Sequence, residues 1–164
     1  MIYRSPYPDV VIPEVSVVDY VLRRAPEFGE KAALIDAVTG ASLSYNELAA
    51  GIRKVAGALV ARGLKKGEVV AIYSPNTITY PMAFHGTAYA GGVATTVNPL
   101  YTPGELAKQL RDAKARFLIT AGPFLDKARE AAAEAGGIDE IFTFDGAPGT
   151  TPFSELLEGE ELEK

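Results

Sequence analysis

The stretch Tyr80–Thr120 constrains the fold more than any other, because it reads in succession as helix, strand, turn, capped helix and second strand. Its centre is Asn98-Pro99-Leu100-Tyr101-Thr102-Pro103-Gly104-Glu105. Asn-Pro halts a strand, since the residue before proline is held out of the helical region. Thr102 is placed to accept from the N–H groups that open a helix, and Pro103 sits at the first helical position, where its missing N–H costs nothing. Glu105, three residues after Thr102, completes a capping box. One and a half α/β units follow from local chemistry alone.

The same reading extends along the chain. Residues 1–15 hold three prolines among Ile, Val and Tyr and are expected to form an extended arm lying on the domain. Ser16 is expected to cap a first helix that presents Val17, Val18, Val21 and Leu22 on one face and ends at Pro26. Ala32–Asp36 and Ala41–Leu43 flank Thr39-Gly40 as a short hairpin. Ser44 and Glu47 form a second capping box, opening a helix with a stripe of Leu48, Ile52, Val55, Ala56 and Leu59 that stops at Gly63. Val69–Tyr73 is a continuous apolar run of the kind found in strands covered on both faces, and a parallel sheet is its natural host. A helix from about Thr79 to Ala90 leads into Val93–Val97, and a helix from Pro103 to about Ala113 into Arg116–Thr120. An alanine-rich helix over Pro123–Ala135, ended by Gly136-Gly137, precedes a strand at Glu140–Phe144. The fold class is therefore α/β: an open, mainly parallel sheet with helices on both faces, joined by right-handed crossovers. Residues 16–145 make this α/β subdomain, and residues 146–164 a loop, a short helical turn at Phe153–Leu157 and an acidic, solvated tail.

Composition excludes several classes. The 164 residues suffice for one domain able to bury roughly 70% of its unfolded surface. With 48% hydrophobic and 23% charged residues the chain is neither disordered nor fibrous. A net charge of −5 repels phosphate backbones, so nucleic acid is not an expected partner. The absence of cysteine removes disulfides and thiolate metal sites and permits a reducing compartment. MIYRSPYPDVVIP does not make a secretory signal, and no window has the length of apolar sequence a spanning helix needs. The expectation is a soluble, cytoplasmic protein with no transmembrane segment.

Tyr80–Thr120, together with Lys65-Lys66-Gly67-Glu68-Val69-Val70-Ala71-Ile72 and Ser74-Pro75-Asn76, resembles the amino-terminal part of the adenylate-forming (AMP-binding) acyl-CoA synthetases, of the 4-coumarate and fatty-acid CoA ligase type. The resemblance covers nearly the whole chain and implies the first part of that family's large amino-terminal domain. It implies a parent enzyme that activates a carboxylic acid with ATP and magnesium, releases pyrophosphate and passes the acyl group from AMP to coenzyme A. It also implies where the chemistry lies: a Ser/Thr/Gly-rich loop ending in Pro-Lys, an aromatic-Gly-x-Thr-Glu segment and a lysine on a carboxyl-terminal lid. None of the three is present in these residues. The expectation is a fragment, inactive alone, whose partner is the missing remainder of the ligase and which pairs with a second copy through uncovered surface. The alternative from another class is a self-contained α/β module that binds a nucleotide or a protein.

Each candidate for chemistry has a plainer account beside it. Gly149-Thr150-Thr151-Pro152 imitates the phosphate loop until Phe153 stands where lysine should, and an ordinary surface loop explains it better. Gly86, Gly91 and Gly92 do not follow a strand as a dinucleotide fingerprint must; Gly86 is expected to pack closely on the sheet and Gly91-Gly92 to end the helix. His85, the only histidine, has no carboxylate cluster to make a metal site and is expected to be a hydrogen-bonded structural residue. Tyr80, Phe84, Tyr89 and Tyr101 suit a core stripe better than an acyl pocket. No catalytic, cofactor-binding or metal-binding residue is assigned. The best site candidates are Ser74, Asn76 and Asn98, which follow apolar strands and so fall at strand carboxyl ends, where open α/β sheets place ligands. The resemblance gives them a bordering role at the active site.

Overall fold

The structure, a computed structural model, describes residues 3–163. Among these the chain begins with α1 (Val17–Leu22) and α2 (Ala25–Phe28), then a hairpin of β1 (Ala32–Ile35) and β2 (Ser42–Ser44). Next come α3 (Tyr45–Ala61), β3 (Val69–Tyr73), α4 (Tyr80–Tyr89), β4 (Val93–Val97), α5 (Pro103–Ala113) and β5 (Ala115–Thr120). A 3-10 turn at Gly122–Phe124 precedes α6 (Leu125–Ala135) and β6 (Glu140–Thr143). The two-residue β7 (Thr151–Pro152) and a second 3-10 turn (Phe153–Leu157) complete the order.

β1 and β2 pair antiparallel, while the other five strands form one parallel sheet in the order β4-β3-β5-β6-β7. The register sets Ile72 beside Ile119 and Ile119 beside Phe142. Successive side chains of a strand point to opposite faces, so the Val69–Tyr73 run feeds two cores at once. Val70 and Ile72 join Ile52, Val55, Leu59, Phe117, Phe142, Phe153 and Leu156 under α3, α4 and the second 3-10 turn. Ala71 and Tyr73 join Leu106, Leu110, Leu118, Ala128 and Ala131 under α5 and α6. Each strand residue from Val70 to Tyr73 is fully buried, which is why this segment shows no alternation.

Both capping boxes form as the sequence dictates. Thr102 accepts from the Glu105 N–H while the Glu105 carboxylate accepts from the Thr102 N–H at 2.8 Å, and Ser44 and Glu47 do the same for α3. α4 ends at Gly91, whose φ of +81° a side chain would strain, and the Gly92 N–H reaches back to the Thr87 carbonyl at 2.9 Å. α5 ends at Lys114, a non-glycine residue in the left-handed conformation.

The structure departs from the sequence expectations at six places. Pro26 does not end α1; it opens α2, a role its fixed φ suits. Of the expected α1 face only Val18 is buried, whereas Val17 and Val21 are more than half exposed. The amino-terminal arm does not lie on the domain, since Val10, Val11 and Ile12 are 83–89% exposed. Gly86 packs against α3 rather than the sheet: a Cβ there would meet Val55 Cγ1 at 2.6 Å and the Ile52 carbonyl at 3.1 Å. On the same interface Gly51 faces Met82. Thr151-Pro152 is a strand rather than loop, pairing with Phe142 and Thr143. Finally, the acidic tail is not free in solvent: Arg53 pairs with Glu161, and the Leu162 N–H donates to the Arg53 carbonyl at 3.1 Å.

The two ends of the sheet are finished differently. At the amino ends Arg116 gathers the Gly63 carbonyl, Glu68 and Asp139 around one guanidinium. At the β4 edge, Gln109 of α5 donates to the Thr95 hydroxyl at 2.9 Å and the Thr96 carbonyl at 3.1 Å, occupying an acceptor that an edge strand otherwise leaves open.

Candidate active-site border at the strand carboxyl ends

From β3 the chain steps outward to β4, then returns across β3 to β5 and continues to β6 and β7. Counted in chain order, the five parallel strands therefore lie in the order 2-1-3-4-5. Connections leave β3 and β5 in opposite directions, and in such sheets ligands bind in the crevice outside the carboxyl ends at that point. α4 covers one face and α5 the other, consistent with this reversal.

Ser74 stands at the carboxyl end of β3, beside the reversal. It is 4% exposed, and its hydroxyl donates to the Pro75 carbonyl at 2.8 Å. Asn76 is exposed on the loop that follows. Asn98 is exposed just after β4, and its side-chain oxygen accepts from the Leu100 N–H at 3.0 Å, a local turn that proline at 99 reinforces. The Tyr73 hydroxyl joins the two loops by donating to the carbonyls of Pro99 at 3.2 Å and Tyr101 at 3.0 Å. Burial pushes the Tyr73 phenol above its ordinary value, so it stays a neutral donor.

Three residues on the same rim escaped the sequence reading. Thr120, fully buried at the end of β5, donates its hydroxyl to the Tyr73 carbonyl at 2.7 Å. The Gly122 N–H donates to both oxygens of Asp145, at 2.9 and 3.0 Å, and a Cβ at 122 would meet that carboxylate at 2.6 Å. All three lie at or just past the ends of the strands expected at Arg116–Thr120 and Glu140–Phe144. The rule that selected Ser74 and Asn98 therefore selects these as well.

What this rim offers is hydroxyls, carbonyls and turns. Among the described residues no three His, Cys, Asp or Glu side chains come together to hold a metal ion. His85 packs edge-on to Phe84, and its Nδ1 is buried with no hydrogen-bond partner, contrary to the expectation of a bonded histidine. Burial lowers its affinity for a proton, which favours the neutral ring.

The imitation phosphate loop is tied down by contacts within this chain. Arg129 donates to the carbonyls of Pro148 and Gly149, both at 3.0 Å, and the Thr150 hydroxyl donates to the Ala147 carbonyl at 2.6 Å. Phe153, where lysine would be needed, is 2% exposed in the core. The aromatic quartet divides. Tyr80 stacks on Phe144, Tyr89 packs on the same core and Tyr101 on the opposite one, while Phe84 is 36% exposed.

The strand order defines a doubly wound α/β sheet, with Ser74 and Thr120 at the carboxyl ends of its central strands. The AMP-binding enzyme family model matches residues 21–161, and the chain belongs to that family. It is 34% identical to 4-coumarate–CoA ligase 1 of Petroselinum crispum over 99% of its own length and 30% of that protein's. It is 37% identical to 4-coumarate–CoA ligase 3 of Oryza sativa subsp. japonica over 99% and 29%. Among solved structures, a benzoate CoA ligase from Burkholderia xenovorans LB400 superposes with a TM-score of 0.83 at 29% identity, covering 92% of this chain and 30% of that one. A long-chain-fatty-acid-CoA ligase from Archaeoglobus fulgidus gives 0.84 at 25% identity, covering 99% and 34%. The chain thus spans about 30% of the length of the curated relatives it matches.

Proposed function

We propose that these residues are the amino-terminal scaffold of an ATP-dependent carboxylic acid–CoA ligase, which adenylates its acid and then forms the thioester. In this reading ATP, magnesium and coenzyme A serve the whole enzyme, the 164 residues do not turn over alone, and their partner is the remainder of the ligase. The observation that carries the reading is similarity over 99% of the chain to 4-coumarate–CoA ligases of which it spans only 30%. In this reading Ser74, Asn76 and Asn98 border the active site of the whole enzyme, and the local bonds of the Ser74 hydroxyl and the Asn98 side-chain oxygen support a shaping role.

A cytoplasmic location belongs to the same reading; among the described residues no helix is long and apolar enough to cross a membrane. So does pairing of two copies through uncovered surface, since β4 is the last strand of its sheet and Val93 is 50% exposed. A strictly monomeric light-scattering profile at high concentration speaks against that pairing.

The test is direct. The purified 164 residues, given ATP, magnesium, coenzyme A and a panel of aryl and fatty acids, should form no acyl-CoA, and titration calorimetry with ATP, AMP and coenzyme A should give no micromolar binding. Thioester formation overturns the scaffold reading. Micromolar nucleotide binding without turnover favours a self-contained binding module instead.

A further inference from the structure

The mid-helix glycine of α3 has no account in the rim or the sheet. Gly57 lies well inside α3 (Tyr45–Ala61), where glycine weakens a helix relative to alanine. A Cβ there would approach the Glu160 carbonyl oxygen more closely than the 3.0 Å that real Cβ atoms keep, and would lie 3.3 Å from the Leu162 backbone nitrogen. One turn earlier the Arg53 carbonyl, whose own helical partner is the Gly57 N–H, takes a second bond from the Leu162 N–H at 3.1 Å. Arg53 also pairs with Glu161, and a Cβ on Gly159 would lie 3.8 Å from the Ala58 Cβ. Four consecutive residues of the tail are thus matched to one side of α3 by a bare backbone, a carbonyl and a guanidinium.

We propose that Gly57 and Arg53 form a seat on α3 that holds Gly159–Leu162 as a strap, with Gly57 the positioning residue that lets the strap's backbone reach the helix. The seat fixes where the chain departs from this subdomain, directly after Phe153 and Leu156 have been sunk into the core beneath α3. In a ligase of the kind proposed above, the segment following Leu162 then leaves from a set place on the flank of α3. The inference concerns α3 and the tail of this chain alone, so its failure is separate from any failure of the ligase reading.

The experiment uses the 164-residue chain with glutamyl endopeptidase under native conditions, reading cleavage after Glu158, Glu160 and Glu161, alongside the thermal midpoint. Gly57→Ala should raise tail cleavage about fivefold or more, the factor set by one net backbone hydrogen bond, without raising the thermal midpoint. Leu162→Pro removes the tail's donor and leaves α3 untouched; because the bond after Glu161 then precedes a proline and resists the protease, cleavage in this variant is read after Glu158 and Glu160. It should raise cleavage similarly, and the double variant should add little, because both changes undo one contact. If the tail has no seat, Gly57→Ala simply improves a helix. A midpoint raised by about 2–4 °C with unchanged cleavage, the gain expected for alanine over glycine in a domain this size, overturns the proposal. So does unchanged cleavage in Leu162→Pro.

Discussion

The Tyr73 hydroxyl donates to the Tyr101 carbonyl at 3.0 Å, and so the last residue of β3 holds the loop that leaves β4. Through the Thr120 hydroxyl on the Tyr73 carbonyl, the end of β5 joins the same chain of bonds. The carboxyl ends of β3 and β5 and the loop after β4 are therefore tied together at one tyrosine. Tyr73→Phe keeps the ring and its T-shaped contact with Phe124 while deleting the donor. Urea unfolding should show a loss of about 1 kcal/mol, and amide exchange should quicken at Leu100 and Tyr101. The native phenol is held above its ordinary value by burial, so its neutral form belongs to the folded state. That contribution is complete below about pH 10 and is lost as pH rises through the folded value. Tyr73→Phe should accordingly flatten the alkaline limb of the stability curve.

Gly86 and Val55 make a second test of packing. Gly86→Ala gains helix propensity, yet its methyl meets Val55 Cγ1 at 2.6 Å and the Ile52 carbonyl at 3.1 Å inside a filled core. Overpacking of this kind costs roughly 1–3 kcal/mol, more than the propensity gain of about 1 kcal/mol. The single variant should be destabilised, and Val55→Ala should be less harmful in its presence than alone, as a double-mutant cycle in urea would reveal.

His85 gives the chain an acid response of defined sign. Burial depresses its folded pKa, so the neutral ring contributes stability that is whole above the ordinary value of about 6.5 and is lost as pH falls through the folded value. Replacing the ring by His85→Phe should remove the part of the acid destabilisation that begins just below pH 6.5. Thermal melts of both proteins between pH 7 and 5 supply the comparison, and parallel curves would contradict it.

The Thr102–Glu105 capping box predicts both a loss of stability and a pH signature. Thr102→Ala removes the acceptor for the Glu105 N–H and should cost about 1 kcal/mol. The Glu105 carboxyl is held below its ordinary value, first by the Thr102 N–H and then by the Thr102 hydroxyl. Its contribution is present above the ordinary glutamate range and is lost as pH falls through the folded value. Because the N–H of residue 102 remains in Thr102→Ala, NMR titration of Glu105 should show its pKa rise only part of the way towards the ordinary value.

Local chemistry made much of this fold legible. Thr102, Pro103 and Glu105 placed the start of α5 because every partner lies within one turn, and the uniform burial of Val70–Tyr73 could be read from an unbroken apolar run. What depended on distant partners was not legible. Thr151-Pro152 becomes a strand only because Phe142 and Thr143 offer it an edge, and Pro26 opens a helix because the chain has already turned after Leu22. Nothing in Val17 or Val21 announces that their side of α1 stays exposed, since periodicity marks a stripe and not whether anything covers it. For the rim, Ser74 and Asn98 followed from strand ends. The tie through Tyr73 and Thr120 required the strand order, which no local pattern encodes.

The Arg116 guanidinium, clasped by Glu68, Asp139 and the Gly63 carbonyl, binds one pole of the sheet through ion pairs, whereas at the other pole β3 is tied to β5 and to the loop after β4 by the hydroxyls of Thr120 and Tyr73. Added electrolyte screens the first and barely touches the second. A single sheet thus has two poles that answer to different solvents: brine relaxes the amino ends of the strands, while the tie through Tyr73 at their carboxyl ends keeps its shape.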